Sequence, residues 1–154
     1  MPSKNYKLIV KDMGMNEIIK KTKQLNGVKI KVGLFGSGDP RSNVAARGAV
    51  HEYGSTKRNI PIRPFTAQAF DMNLKILTKF INKLLTKLYF KNLPTTAFLK
   101  KIAVLHEGQI KKSIVSRLFW PLKPATIKRK KSSVQLVDTG IMLNSVKNKI
   151  GKGT

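Results

Sequence analysis

Two helix-periodic runs separated by a proline constrain this chain more than anything else in it. From Phe65 onward Leu74, Leu77, Ile81, Leu84 and Leu88 recur at spacings of three and four. After Leu93-Pro94 the pattern resumes with Phe98, Ile102, Leu105, Ile110, Ile114 and Leu118. Residues so spaced share one face of an α-helix. Proline has no N–H to continue the ladder, and its ring clashes with the turn before it, so the helix must break between the runs. The expectation is a long helical hairpin over about residues 65–118, either an antiparallel pair or one arm bent at Pro94. Thr95 or Thr96 is placed to cap the second helix. Gly108 falls inside the pattern and predicts a kink or a close helix contact.

A second stripe lies beside the leucines. Lys75, Lys79, Lys83, Lys87 and Lys91 recur at strict fours, and like charges at that spacing repel by about a few tenths of a kcal/mol each. The stripe costs stability unless an anion lies along it. Its plainest reading is a solvated face.

The N-terminal third reads as helix, then strand. Tyr6–Val10 is expected as a short strand or ordered arm. Met13–Leu25 predicts an amphipathic helix, with Met15, Ile18, Ile19 and Leu25 on its apolar face and Lys20, Lys21 and Lys23 on its polar one. Asn26-Gly27 ends it. Val28–Phe35 alternates with period two: Val28, Ile30, Val32 and Leu34 fall on one face and lysines on the other, the pattern of a half-buried strand. The glycines of Gly36-Ser37-Gly38-Asp39-Pro40 do not have the spacing of a phosphate-binding loop. Asn43 can cap a short helix that ends at Tyr53.

From Gly48 to Phe70 the chain packs two glycines, two prolines, three aromatics, a histidine and two arginines into one connection. Gly54 reads as a left-handed helix stop. Pro61 and Pro64 hold Ile60 and Arg63 extended, which makes Ile-Pro-Ile-Arg-Pro a stiff rod. Beyond the hairpin, Phe119-Trp120-Pro121-Leu122-Lys123-Pro124 stops the second helix, and Pro124 starts a short basic one through Lys131. Ser132-Ser133 reads as a loop and Val134–Val137 as a strand-like segment. Asp138-Thr139 is expected to cap a final helix carrying Ile141, Met142, Leu143 and Val146. With no internal repeat, residues 1–154 read as a single α+β domain: a small antiparallel sheet with flanking helices and a long helical hairpin.

Composition narrows function by exclusion. The chain has no cysteine, so neither disulfides nor thiolate chemistry arise. Its start, Met-Pro-Ser-Lys-Asn-Tyr-Lys, lacks the apolar core of a signal peptide, and no run approaches the about 20 apolar residues of a membrane span. Two histidines and seven carboxylates are thin material for catalysis. His51-Glu52 and His106-Glu107 belong to no His-Glu-x-x-His helix. His51 is expected to bond the backbone of its own turn, and His106 to be a partly exposed helix residue. Asp138-Thr139-Gly140 matches the triplet of aspartic proteases, but the fourteen residues after it read as helix where such an enzyme needs strands. An N-cap fits better. The expectation is no enzyme, no metal and no cofactor.

Charge points to a polyanion. Thirty-one basic residues against seven acidic ones give a net +24, which favours nucleic acid, an anionic surface or an acidic protein. Only six of the basic residues are arginine, the better fork for phosphate and base edges. Binding through Lys128-Arg129-Lys130-Lys131 or the stripe Lys75, Lys79, Lys83 and Lys87 would be backbone-directed and salt-sensitive. A membrane-surface helix would need the lysines to flank an exposed apolar face, and the leucines read as core.

Two blocks of sequence resemble one family. The first is Val32-Gly33-Leu34 followed by Gly48–Phe70, with His-Glu-Tyr-Gly and Ile-Pro-Ile-Arg-Pro-Phe. The second is Trp120-Pro121-Leu122, Pro124-Ala125-Thr126-Ile127-Lys128 and the run Leu136–Val146 containing Asp138-Thr139-Gly140. Together they are similar to the neck or tail-completion (virion morphogenesis) proteins of tailed bacteriophages. The resemblance implies a virion structural protein, made in the host bacterial cytoplasm. Such a protein completes the head–tail junction or the upper end of the tail as a homo-oligomeric ring, hexamer or dodecamer. Its implied partners are connector, portal or tail proteins and the double-stranded DNA in the channel, and no membrane. The resemblance makes His51, Tyr53, Gly54, Pro61, Arg63, Pro64, Phe65, Trp120, Leu122, Asp138 and Gly140 candidates for specifying the fold or the subunit contacts. The alternative is a non-specific basic nucleic-acid-binding protein.

Overall fold

In the computed structural model, which describes residues 12–36, 43–130 and 132–152, the hairpin forms the frame. Helix α3 (Phe65–Phe90) and helix α4 (Thr95–Val115) pack along each other across the Pro94 turn. Before them come α1 (Met15–Leu25), strand β1 (Val28–Leu34) and α2 (Val44–Tyr53). After them come α5 (Pro124–Lys130), α6 (Ile141–Asn144) and β2 (Val146–Lys152). The architecture is α+β, as the periodicities predict. Tyr6–Val10 and most of the loop after Gly36 lie outside the described residues.

Strands β1 and β2 form a two-stranded antiparallel sheet, registered from Val28 opposite Lys152 to Leu34 opposite Val146. The second strand corrects the sequence reading. The expected final helix stops after four residues, and Val146 opens a strand instead of closing a helix. Val146, Asn148 and Ile150 alternate with Lys147 and Lys149, a period-two signal in a segment poor in apolar residues. Val146 is fully buried against α4, and Asn148 donates to Glu107 Oε2 at 2.6 Å. Lys111 reaches the other oxygen of Glu107 at 2.6 Å and, with Asn148, holds this carboxyl below its ordinary pKa. Residues 134–137 form a turn rather than a strand.

The core has two centres. At the open end of the hairpin Phe65, Ala69, Ile110, Ile114, Phe119, Leu136 and Val146 are buried together, with Val32 and Leu34 of the sheet against them. At the closed end Leu84, Leu88 and Phe98 form a second cluster, joined by Leu25 of α1. Leu74 is exposed instead of joining the stripe, and so are Met15 and Ile19 of α1. Leu118 lies beyond the end of α4 and is exposed as well. A side chain at Gly108 would meet open space, so no close helix contact explains that glycine.

Charges from other helices cap α3 at both ends. Its N-cap residue, Pro64, supplies no side-chain acceptor. Glu52 of α2 takes that place: its carboxylate accepts from the backbone N–H groups of Thr66 and Ala67, both at 3.0 Å, and from the Thr66 hydroxyl. At the far end Lys21 of α1, expected on that helix's polar face, is buried and donates to the Leu88 carbonyl at 2.8 Å. An anion at the first turn and a cation at the last match the orphan groups and the dipole of the helix. Neither Thr95 nor Thr96 caps α4, and Thr95 Oγ1 instead donates to Gln24 Oε1 at 2.6 Å.

Candidate functional site

The last turn of α2 sends three adjacent side chains to three different places. Asn43 opens this helix as expected, accepting from the N–H groups of Ala45 and Ala46. Gly48 lets it lie on β1, since a Cβ there would stand 2.3 Å from Leu34 Cδ1. His51 then faces the rod, Glu52 caps α3, and Tyr53 stands in solvent. Gly54 ends the helix at φ 74, ψ 179. That is a conformation essentially confined to glycine, though not the left-handed helical stop expected.

Ser55 and Ile60 then exchange two backbone hydrogen bonds of 2.9 Å, closing a turn through Asn59. From Pro61 to Pro64 the chain has no regular secondary structure, and it ends in a tight turn, with Pro64 at φ −79, ψ 68 and the Phe65 N–H donating to the Arg63 carbonyl at 2.9 Å. The rod is strapped back by the Arg63 N–H, which donates to the His51 carbonyl at 2.7 Å. Phe65 then drops into the core, 2% exposed.

The opposite wall is built from Phe119 to Asp138. Phe119, not Trp120, is the aromatic that anchors it: Phe119 is buried, whereas Trp120 is 75% exposed. Gln135 Nε2 donates to the Phe119 carbonyl at 3.0 Å, which fixes the orientation of that amide. Lys130, expected to face a polyanion, turns inward and bonds the carbonyls of Val134 and Gln135 at 3.2 and 3.0 Å. Asp138 does not cap α6. Gly140 holds that position, with φ 76 and no side-chain cap.

Between the walls lies a cleft of about 600 Å³. His51, Arg58, Pro61 and Arg63 line it from the first sequence block, and Trp120, Leu122, Thr126, Leu136 and Asp138 from the second, with Arg129, Lys130 and Gln135 contributed by the stretch between that block's pieces. Asp138 is the one carboxylate among these lining residues, so no carboxylate pair of the protease kind forms here. The sequence ground against a protease, that only helix follows Asp138, does not hold, since a strand begins at Val146.

Among the described residues, three buried side-chain atoms have no hydrogen-bond partner: His51 Nδ1, Arg63 Nε and Gln135 Oε1. All three belong to residues lining this cleft. His51 therefore does not bond its own turn through its ring, as the sequence reading expected. An unsatisfied buried polar group costs about 1–3 kcal/mol, and a charged one more. Burial, with Arg63 and Lys130 nearby, holds the His51 imidazole below its ordinary pKa. Burial likewise lowers Arg63 and Lys130, with Asp138 opposing the shift at Lys130.

The remaining candidates lie elsewhere. Lys75, Lys79, Lys83 and Lys87 are exposed along α3, and Lys128 is exposed on α5. Lys131 lies outside the described residues. His106 is half-buried in α4, with Nδ1 3.0 Å from Gln109 Oε1 and its ring edge-on to Phe70. Sequence reasoning missed Glu52, Lys21 and Gln135. For Glu52 a signal existed: a helix starting at Phe65 behind a proline has no local cap, so another segment must supply its acceptor.

Among the described residues no three His, Asp or Glu side chains come together that could hold a metal ion. None of the described helices is long and apolar enough to cross a membrane. No protein-family model, curated protein or solved structure matches the chain.

Proposed function

We propose that this chain is a structural subunit of a tailed-bacteriophage particle. In this reading it completes the head–tail junction or the upper end of the tail, as a ring of identical copies around the DNA channel. The observation that carries the proposal is that the two blocks resembling neck and tail-completion proteins, far apart in sequence, line one cleft. Residues that share a resemblance and also share a site act as a unit.

The surface supports assembly. Met72 (63% exposed) and Ile76 (57%) lie one turn apart on α3, and Phe90, Tyr53 and Trp120 are still more exposed. Of these, the neighbouring pair Met72 and Ile76 is the kind of contiguous apolar surface that a subunit contact covers. The lysine stripe then faces the channel DNA or an acidic neighbour, which offsets its self-repulsion.

Electron microscopy of the purified protein, alone and mixed with particles that lack it, tests the proposal. Rings, or a new layer at the head–tail junction, are the expected result. Dispersed monomers that leave the particles unchanged would overturn it. They would favour the second reading, non-specific nucleic-acid binding, for which the exposed stripe and the net charge of +24 speak. That reading predicts a log–log salt slope near one unit per phosphate neutralised, whereas a ring subunit need bind free DNA only weakly.

A further inference from the structure

The outer face of α3 carries a pattern that the hairpin does not use. Met72, Ile76, Lys79, Lys83, Thr86 and Phe90 follow one another at alternating spacings of four and three, so they share one side of the helix. All six are exposed, whereas Leu77, Leu84 and Leu88 turn the other way and are buried. At about 1.5 Å per residue the row is about 27 Å long. Both of its ends are apolar: Met72 and Ile76 are 63% and 57% exposed at one, and Phe90 is 76% exposed at the other. Between them lie Lys79 and Lys83, flanked by Lys75 and Lys87. None of these four lysines takes part in an ion pair among the described residues. Asp71, the one acid on α3, stands about 100° round the helix from Met72.

An occupant of this face has to meet cations in the middle and apolar side chains at both ends. Duplex DNA supplies phosphates for the lysines but leaves Met72, Ile76 and Phe90 against a polar backbone. A helix with carboxylates along its middle and apolar residues at its ends supplies both, and helices pack side by side over such lengths. Each carboxylate also relieves the repulsion between lysines four apart.

We propose that the outer face of α3 packs against an acidic amphipathic helix of a different protein. Its carboxylates lie against Lys79 and Lys83, with Lys75 and Lys87 at the flanks, and its apolar ends cover Met72, Ile76 and Phe90. A second copy of this chain has no such helix. Its seven acidic residues, Asp39 included, are everywhere five or more positions apart in the sequence. No segment of it therefore offers carboxylates at the spacing of one helical turn. A ring of identical copies is left to close through other surfaces. The proposal rests on the assembly reading only for the identity of the protein that carries the helix.

The test is a nitrogen-15 NMR titration of the full chain with the helical peptide N-acetyl-LAAALAAEAAEEAAEAAAL-amide and with its Gln counterpart. A short DNA duplex, and the chain alone at rising concentration, form parallel arms. The Glu peptide should shift the backbone amides between Met72 and Phe90, with the Gln peptide weaker by about tenfold. Equal binding of the two peptides overturns the proposal, and so does the absence of shifts at millimolar peptide. Movement of the same signals by the duplex at equal or lower concentration overturns it in favour of nucleic acid. Their movement on concentrating the chain alone does so in favour of a second copy.

Ile76→Ala and Phe90→Ala, both at exposed positions, should each weaken the Glu peptide by about threefold to tenfold. Lys79→Gln combined with Lys83→Gln should shrink the difference between the Glu and Gln peptides. Unchanged binding in these folded variants overturns the proposal. Microscopy separates the two readings. Rings from a chain that ignores the Glu peptide would sink this surface and keep the assembly, and peptide binding by a chain that never assembles would do the reverse.

Discussion

Lys21 and Arg63 are equally hidden, each 6% exposed, and each lies near one end of α3. Their circumstances are opposite. Lys21, at the closed end of the hairpin, donates to the Leu88 carbonyl and stands 3.8 Å from Glu17. Arg63, at the open end, has Nε without a partner, and no ion pair joins it among the described residues. A buried cation with partners is architecture. One without them costs stability. The closed end of the molecule pairs its buried cation, and the open end leaves the Nε of its own without a partner.

Substitutions can break or sharpen that contrast. The largest effect is expected for Leu88→Ala at the closed end, about 2–5 kcal/mol of lost stability in urea unfolding, because Leu88 is fully buried. Next comes Glu52→Ala, which strips the first turn of α3 of its acceptor. About 2–3 kcal/mol should be lost, with a clear drop in helical circular dichroism only if the helix frays.

The third test sets the two cations side by side. Lys21→Met should destabilise by about 1–2 kcal/mol, since the Leu88 carbonyl loses its donor. Arg63→Met should be neutral or stabilising by about 1–3 kcal/mol, because it removes an uncompensated charge. Destabilisation by both to the same degree would erase the distinction between the two ends.

The smallest effect is a pH slope. The folded pKa of His51 lies below its ordinary value of 6.5, so the unfolded chain takes the proton first. Its contribution to stability is present above pH 6.5 and is lost as pH falls below that value towards the folded pKa. The melting temperature should fall across that window, and His51→Gln should flatten the fall. Asp12 and Glu107 also have lowered pKa values, and their losses come at lower pH, below the ordinary carboxylate range.

The same contrast separates what the sequence revealed from what it hid. The closed end is made of residues near in sequence and repeating at helical spacing, so the hairpin, its proline break and strand β1 were legible from periodicity. The two blocks of the cleft were legible too, but only as blocks. Nothing local announces that Ile60–Pro64 and Phe119–Asp138 face each other, because that juxtaposition is a product of packing. Lys21 and Glu52 misled for the same reason: each serves a helix other than its own. The strand Val146–Lys152 was masked by its composition. With three lysines and two apolar residues its alternation is weak, and the one-turn helix Ile141–Asn144 reads as the start of a longer one.

That last strand has a consequence for how the protein is made. Residues 28–34 pair with residues 146–152, so the sheet closes a loop spanning nearly the whole chain. Contacts so distant in sequence form late and slowly. During synthesis β1 emerges early and waits with Val32 and Leu34 uncovered until its partner leaves the ribosome. A nascent chain therefore has no finished sheet, and Val146 has yet to seal the open-end core beside the cleft. The sheet works as a completion check: only chains made through β2 have their open-end core sealed.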